Sequence, residues 1–193
     1  MKTQYSIFIT IIILALSFLA LPPVQAADLS VTQGGKEILS FRQTANGFRA
    51  ASARLQLDVV KSPAGFLLVL GGKEYKMKGK EKGYKIYNPS GALVYKIKEK
   101  DAKIKILRSE NDPAPWAVKL KGDHYKVASG EREIGKVKFY GDKKKIKVKD
   151  TGGAEVCEAA ANWLVPAPAV VLFSGLKERD MLILFAALCL VGK

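Results

Sequence analysis

The sequence predicts a mainly β fold, in which an antiparallel sheet closes into a barrel around one apolar C-terminal helix. The first observation is a strict alternation of apolar residues and lysines along much of the range 61–150, which is typical of strands with one buried and one solvated face. The second is the occurrence of turn residues between these runs at intervals of roughly 10–12 residues, a spacing typical of barrels and sandwiches. The third is a short apolar segment, Met181–Val191. We expect it inside the barrel, because a closed sheet with an apolar inner face needs its interior filled.

Residues 1–26 are predicted to be a signal peptide. Lys2 is followed by an apolar run from Ile7 to Leu21, and a small-residue cleavage site ends at Ala26. This run of about 15 residues is shorter than the roughly 20 that a membrane-spanning helix needs, so an uncleaved anchor is the less favoured alternative. Cleavage would leave 27–193 as a single domain, exported to the periplasm or secreted.

The excess positive charge lies in the range 61–150, the basic strand meander. The whole chain has 32 Lys+Arg and 18 Asp+Glu, a formal net charge of +14. The meander alone has 24 basic and 11 acidic residues. Within it, Tyr95 and Ile97 alternate with Lys96 and Lys98, and the other runs repeat this pattern. Apolar side chains are therefore predicted on the inner face of the sheet and lysines on the outer face.

The range 156–193 differs in composition and is predicted to be largely helical. Val156–Leu164 is rich in alanine and is predicted to form a short helix that ends before the prolines following it. Ala169–Leu176 is apolar and is left without an assigned structure.

Met181–Val191 is predicted to be the central helix, with Asp180 as its N-cap and Gly192 as its stop. Its length of about 16 Å is half of a bilayer core of about 30 Å. A helix that lies in or across a membrane is the alternative to a helix inside the barrel.

The order of these segments resembles the tubby-like superfamily, which includes tubby C-terminal domains, the LURP-one-related proteins and the phospholipid scramblases. The similarity rests on the basic meander, with strands such as those in Tyr84–Ile97 (YKIYNPSGALVYKI), and on the final segment Asp180–Leu190 (DMLILFAALCL). It implies a 12-stranded closed barrel around a hydrophobic C-terminal helix over about residues 30–193, and a general affinity for anionic lipid. It identifies no site residue, and the signal peptide and Ala169–Leu176 depart from the family pattern.

The lysine-rich outer face is the predicted functional surface. We expect it to bind anionic phospholipid, lipopolysaccharide or another polyanion at the cell envelope. The alternative is a structural or interaction scaffold whose lysines only confer solubility; membrane anchoring through the C-terminal helix is a further one. The densest lysine rows are the candidate site: Lys96, Lys98, Lys100, Lys103, Lys105, Lys136, Lys138, Lys145, Lys147 and Lys149.

No catalytic, metal or cofactor site is predicted. His124 is the single histidine, and no nucleophile elbow, phosphate-binding loop or metal-spaced cluster is present in the sequence. Cys157 and Cys189 are the two cysteines; whether they form a disulfide is left open, since pairing does not follow from sequence. The protein is therefore predicted to be a non-enzymatic monomer, with a protein partner left open.

Specific nucleic-acid binding is not expected. The ring of Tyr95 is predicted to point away from Lys96 into the core, so the two would not combine stacking with phosphate contacts. Arg108 and Arg132 are the two arginines of the basic strand meander, whereas base and phosphate forks usually use arginine.

Overall fold

Fourteen antiparallel strands close into a barrel in the computed structural model of the protein, which describes residues 28–191. Each strand pairs with its neighbours in sequence, and the first strand pairs with the last. The signal peptide predicted for residues 1–26 lies outside the described residues. The strands are β1 Leu29–Gln33, β2 Lys36–Thr44, β3 Gly47–Ser52, β4 Gln56–Ser62, β5 Gly65–Leu70, β6 Lys73–Lys80, β7 Gly83–Tyr87, β8 Leu93–Lys100, β9 Lys103–Leu107, β10 Trp116–Lys121, β11 His124–Ser129, β12 Arg132–Tyr140, β13 Lys145–Lys149 and β14 Glu155–Ala160.

The predicted alternation holds along the strands of the basic meander. Tyr95 and Ile97 of β8 are buried, as are Ile104 of β9 and Val118 of β10, and the lysines between such residues lie on the outer face. The barrel expected from the sequence is thereby confirmed. The strand number differs from the 12 that the family resemblance implies, since the described residues form 14 strands.

Close backbone approach at the start of β7 requires glycine. Gly83 has φ +130°, and a Cβ added there would lie 2.1 Å from the carbonyl oxygen of Ile97. The same contact with the neighbouring strand recurs at the starts of β3 and β5, in Gly47 and Gly65. These three glycines are 18 residues apart in sequence, so one hairpin geometry is used three times around this side of the barrel.

The barrel interior contains the C-terminal helix, α1, which spans Glu178–Leu190. The seven residues from Leu182 to Leu188 are fully buried. The helix begins near the β5–β6 and β7–β8 turns, where Arg179 and Asp180 lie beside Asn88, and Leu190 reaches the opposite end of the barrel. The central helix predicted for Met181–Val191 is confirmed, and no helix of the residues described is long and apolar enough to cross a membrane.

The predicted N-cap of this helix is wrong. Lys177 is the N-cap, and it makes no side-chain capping hydrogen bond. Asp180 lies in the first turn instead, where its carboxylate still interacts favourably with the positive end of the helix dipole. The predicted stop, Gly192, lies outside the described residues.

The helix predicted for Val156–Leu164 is also wrong, because its first half forms β14. Cys157 and Ala159 point into the core, and the strand pairs with β13 on one side and with β1 on the other. Closing the barrel requires this strand, and its tertiary pairing overrides the helix propensity of its alanines.

The unassigned apolar segment forms a second interior element. A 3-10 helix, Ala167–Leu172, has four buried residues and packs against α1. The side chain of Leu172 fills the space beside Gly135 of β12, and Phe173 stacks on Trp116 of β10 with ring centroids 4.6 Å apart. Within residues 28–191, the fourteen strands form the closed barrel, and α1 and this 3-10 helix fill its interior.

Candidate anion-binding surface

Six lysines form a continuous line across the outer face of six consecutive strands. Each strand from β8 to β13 contributes one lysine, and each lysine is the register partner of the next. With strands about 4.8 Å apart, the line extends over roughly 24 Å. We call it the lysine row: Lys100, Lys103, Lys119, Lys126, Lys136 and Lys149.

The lysine row includes four of the ten predicted site residues, Lys100, Lys103, Lys136 and Lys149. The other two members, Lys119 and Lys126, were not predicted to belong to the site. Lys119 lies in β10 and Lys126 in β11, the two strands between the predicted groups of lysines. The alternation of Lys119 with Val118 and Leu120 was visible in the sequence, but its position opposite Lys103 required the register.

The remaining six predicted residues flank the lysine row. Lys98 is opposite Lys105, and Lys138 is opposite Lys147, so two further like-charged pairs lie beside it. Lys96 lies on β8 and Lys145 on β13. The structure therefore brings the predicted residues together on one side of the barrel, from β8 to β13.

Most lysines of the row have no carboxylate nearby. Lys126 pairs with Glu133 at 2.6 Å, and Lys100 lies 3.8 Å from the exposed Asp101. Over residues 28–191, no carboxylate oxygen lies within 4.0 Å of Lys103, Lys119, Lys136 or Lys149. These four lysines therefore make no direct ion pair with the residues described.

Several predicted flanking lysines, by contrast, are paired. Lys96 and Lys85 both bind Glu110, and these two hydrogen bonds lower the pKa of its carboxyl to about 2. Lys145 and Lys147 pair with Glu158 and Glu155 at 2.7 and 2.6 Å. These flanking lysines are weaker candidates for ligand binding, because a carboxylate already binds each of them.

His124 belongs to a surface charge cluster. Its Nδ1 lies 3.0 Å from Asp123 Oδ1, and Lys138 Nζ lies 2.9 Å from Asp123 Oδ2. Two hydrogen bonds lower the pKa of Asp123 to about 2, and the one from His124 contributes more than the one from Lys138. No group of three or more potential metal ligands occurs in the range 28–191.

Both cysteines are free thiols. Cys157 is buried in the barrel wall, and burial raises its pKa to about 12. Burial also raises the pKa of the Cys189 thiol well above its usual value. The disulfide left open from the sequence does not form in this structure, and neither thiol has the lowered pKa of a reactive cysteine.

A cavity of about 1000 Å³ opens at the end of the barrel where α1 ends, between the turns β2–β3, β4–β5 and β6–β7. We call it the mouth cavity. Phe48, Phe66 and Tyr84 line its sides, Leu190 of α1 lines its floor, and Lys61, Lys78 and Lys80 border it. It is separate from the lysine row, which starts at β8.

Comparison of the chain with family models, with curated proteins and with solved structures finds no match. The function therefore has to be argued from the geometry, which presents a one-sided array of lysines and one cavity with aromatic walls.

Proposed function

We propose that this protein is a non-catalytic binding protein that associates with anionic envelope surfaces through the lysine row. The observation that carries the proposal is the register, which places six lysines side by side and leaves four of them without a carboxylate partner. Like charges directly opposite each other destabilise a sheet by roughly 0.2–1 kcal/mol per pair. A surface that only confers solubility avoids this cost by mixing charges of both signs.

The expected affinity is moderate and sensitive to salt. Each lysine near an anionic membrane contributes about 1 kcal/mol, so the four lysines without an ion pair together contribute about 4 kcal/mol, or roughly a thousandfold in affinity. The attraction weakens when the Debye length falls from about 14 Å at 0.05 M salt to about 4 Å at 0.5 M.

The second candidate is a scaffold whose lysines serve solubility. The ion pairs of Lys126, Lys138, Lys145 and Lys147 favour it, since lysines already paired resemble an ordinary mixed surface. Anchoring through α1 is disfavoured, because Leu182–Leu188 are buried within the barrel.

Export and kinship with the tubby-like superfamily are part of the same proposal. A closed antiparallel barrel around a buried C-terminal helix supports the kinship, and the 14 strands depart from it. Exported tubby-like proteins of this kind would meet lipopolysaccharide or phospholipid head groups as natural polyanions.

The test is co-sedimentation of residues 27–193 with vesicles of anionic phosphatidylglycerol or of neutral phosphatidylcholine, at 0.05 and 0.5 M salt. We expect binding to the anionic vesicles alone and release at high salt. The variant Lys103→Glu, Lys119→Glu, Lys136→Glu, Lys149→Glu should lose binding. The control variant changes four exposed lysines outside the lysine row, with the same change in net charge: Lys36→Glu, Lys73→Glu, Lys76→Glu and Lys82→Glu.

The two variants separate a localised surface from general electrostatic attraction. Equal loss in both would mean that net charge alone is responsible. Binding that persists at high salt, or that includes neutral vesicles, would contradict the proposal, and absence of binding in the unmodified protein would leave the scaffold as the better account.

A further inference from the structure

The mouth cavity has aromatic walls and an aliphatic floor. Phe48 and Phe66 lie on the inner face at the mouth ends of β3 and β5, opposite Gln43 and Lys61. Phe66 and Tyr84 meet at 6.4 Å between ring centroids, and Leu190 closes the base. Such a lining is typical of small-molecule sites, whose volumes are roughly 300–1,000 Å³, and it suits an apolar ligand group.

One exposed lysine lies at the border of this apolar mouth, on the inner face of its strand. Lys61 shares the inner face of β4 with the buried Leu57 and Val59, because alternate residues of a strand lie on the same side. It is directly opposite Phe66. Most inward positions of this barrel are apolar, so a lysine at this position is unusual. No carboxylate oxygen of residues 28–191 lies within 4.0 Å of its Nζ.

A glycine leaves open space in the same wall of the cavity, two strands from Lys61. Gly79 of β6 follows Tyr75 and Met77 on the inner face. A Cβ at Gly79 would meet no atom closer than 3.8 Å, the nearest being the carbonyl oxygen of Ala64 and the ring of Tyr84. A side chain at position 79 would therefore extend into the cavity without straining the backbone.

From these features we infer that the mouth cavity binds a single-chain anionic amphiphile, a long-chain carboxylate being the simplest. The acyl chain lies between the aromatic walls above Leu190, and the carboxylate pairs with Lys61, with Lys78 and Lys80 at the border adding to the positive field. This orientation also suits the helix, whose C-terminal end carries a partial negative charge and so favours an uncharged tail at the floor. The inference is independent of the lysine row.

The test is displacement of a fluorescent long-chain polyene carboxylate from residues 27–193 by oleate, oleyl alcohol or acetate. Oleate should displace the probe. Acetate should not, because it lacks the chain, and oleyl alcohol should compete about tenfold less well, because it lacks the charge that pairs with Lys61.

Two variants locate the site. Gly79→Leu places an apolar side chain inside the cavity with no change in charge and should weaken probe binding. Lys61→Gln should weaken oleate binding about tenfold, to the level of oleyl alcohol, and Lys61→Arg should restore it. The control Lys36→Gln removes an exposed lysine far from the mouth and should have no effect.

Oleate binding that is unchanged by Gly79→Leu in a folded variant would overturn the proposal, and so would equal binding of oleate and oleyl alcohol. The fourfold Lys→Glu variant of the lysine row should retain oleate binding, whereas Gly79→Leu should retain vesicle binding. The two proposals therefore fail separately.

Discussion

At the scale of single residues, Asp112 organises the connection between β9 and β10. Its carboxylate accepts hydrogen bonds from the backbone N–H of Arg108 at 2.9 Å, from that of Ala114 at 3.0 Å, and from the Arg108 guanidinium at 2.8 and 2.9 Å. The Asp112 side chain is only 2% exposed. Arg108 in turn lies over the ring of Trp116, 4.8 Å from its centroid, so one carboxylate holds the loop that covers this end of the core.

The hydrogen bonds from Arg108 lower the pKa of Asp112, which makes its contribution to stability depend on pH. Because the pKa is lowered in the folded state, the contribution is full above the ordinary aspartate value of about 4 and is lost as the pH falls below it. We expect Asp112→Asn to lower the free energy of unfolding at pH 7 by roughly 1.5–3 kcal/mol, and the difference from the unmodified protein to shrink towards pH 2.

Thermal unfolding at pH 7 and below pH 4 would measure both effects. Asp101→Asn is the control, since Asp101 is exposed and its contact with Lys100 is long; an exposed pair of this kind contributes little. A difference between Asp112→Asn and the unmodified protein that stays constant with pH would contradict the assignment.

At the scale of elements, the register of β8–β13 sets like charges against each other. Lys119 has Lys103 on one side and Lys126 on the other. The row thus combines local repulsion with a concentrated positive field, and stability and anion binding should respond in opposite directions when one of its lysines is changed.

We expect Lys119→Glu to raise the free energy of unfolding by roughly 0.2–1 kcal/mol for each of its two lysine partners, while it weakens binding to anionic vesicles. Urea unfolding and co-sedimentation would measure the two effects. Lys76→Glu is the matched control, because Lys76 is opposite Leu67 and Tyr87 and relieves no repulsion. A stabilised protein with unchanged vesicle binding would argue for the solubility scaffold.

At the scale of the whole molecule, the barrel is held by what fills it. Phe185 of α1 is fully buried, and the 3-10 helix packs beside α1. Truncating a large side chain of α1 leaves a cavity in the core, and the closed sheet around it cannot readily collapse to fill that cavity.

We expect Phe185→Ala to lower the free energy of unfolding by roughly 3–5 kcal/mol, visible as a large fall in melting temperature. Arg179→Ala, in the exposed first turn of the same helix, should change it little. An unchanged melting temperature for Phe185→Ala would mean that α1 does not form the core.

Much of this architecture could be predicted because the strands of the barrel alternate apolar and polar residues, and this period of two residues is visible in the sequence. The lysine and apolar alternation of Tyr95–Lys98 identifies a strand and its inner face. Residues Glu155–Ala160 show the same period, with Cys157 and Ala159 inward, but the alanines made the pattern resemble a helix.

The lysine row could not be predicted because register depends on local irregularities. The pairing of β11 with β12 shifts between Val127 and Ala128, and this shift helps to decide which residue of β12 faces Lys126. The mouth cavity was missed for a related reason. Lys61 belongs to a different hairpin from Gly79 and Tyr84, which face each other across the β6–β7 pair. The three residues meet only because successive hairpins end at the same level of the barrel.

The pairing of β1 with β14 has a consequence for how the chain reaches this structure. Thirteen of the ladders join strands adjacent in sequence, whereas this one joins Ser30–Thr32 to Glu158–Ala160, and α1 comes later still. Until β14 and α1 have been synthesised, the growing sheet has two unpaired edges and an apolar inner face without its helix. Edges of this kind are templates for pairing with other chains, so the nascent protein is vulnerable to aggregation until these two elements are present, whereas in the closed barrel every strand of residues 28–191 is paired on both sides.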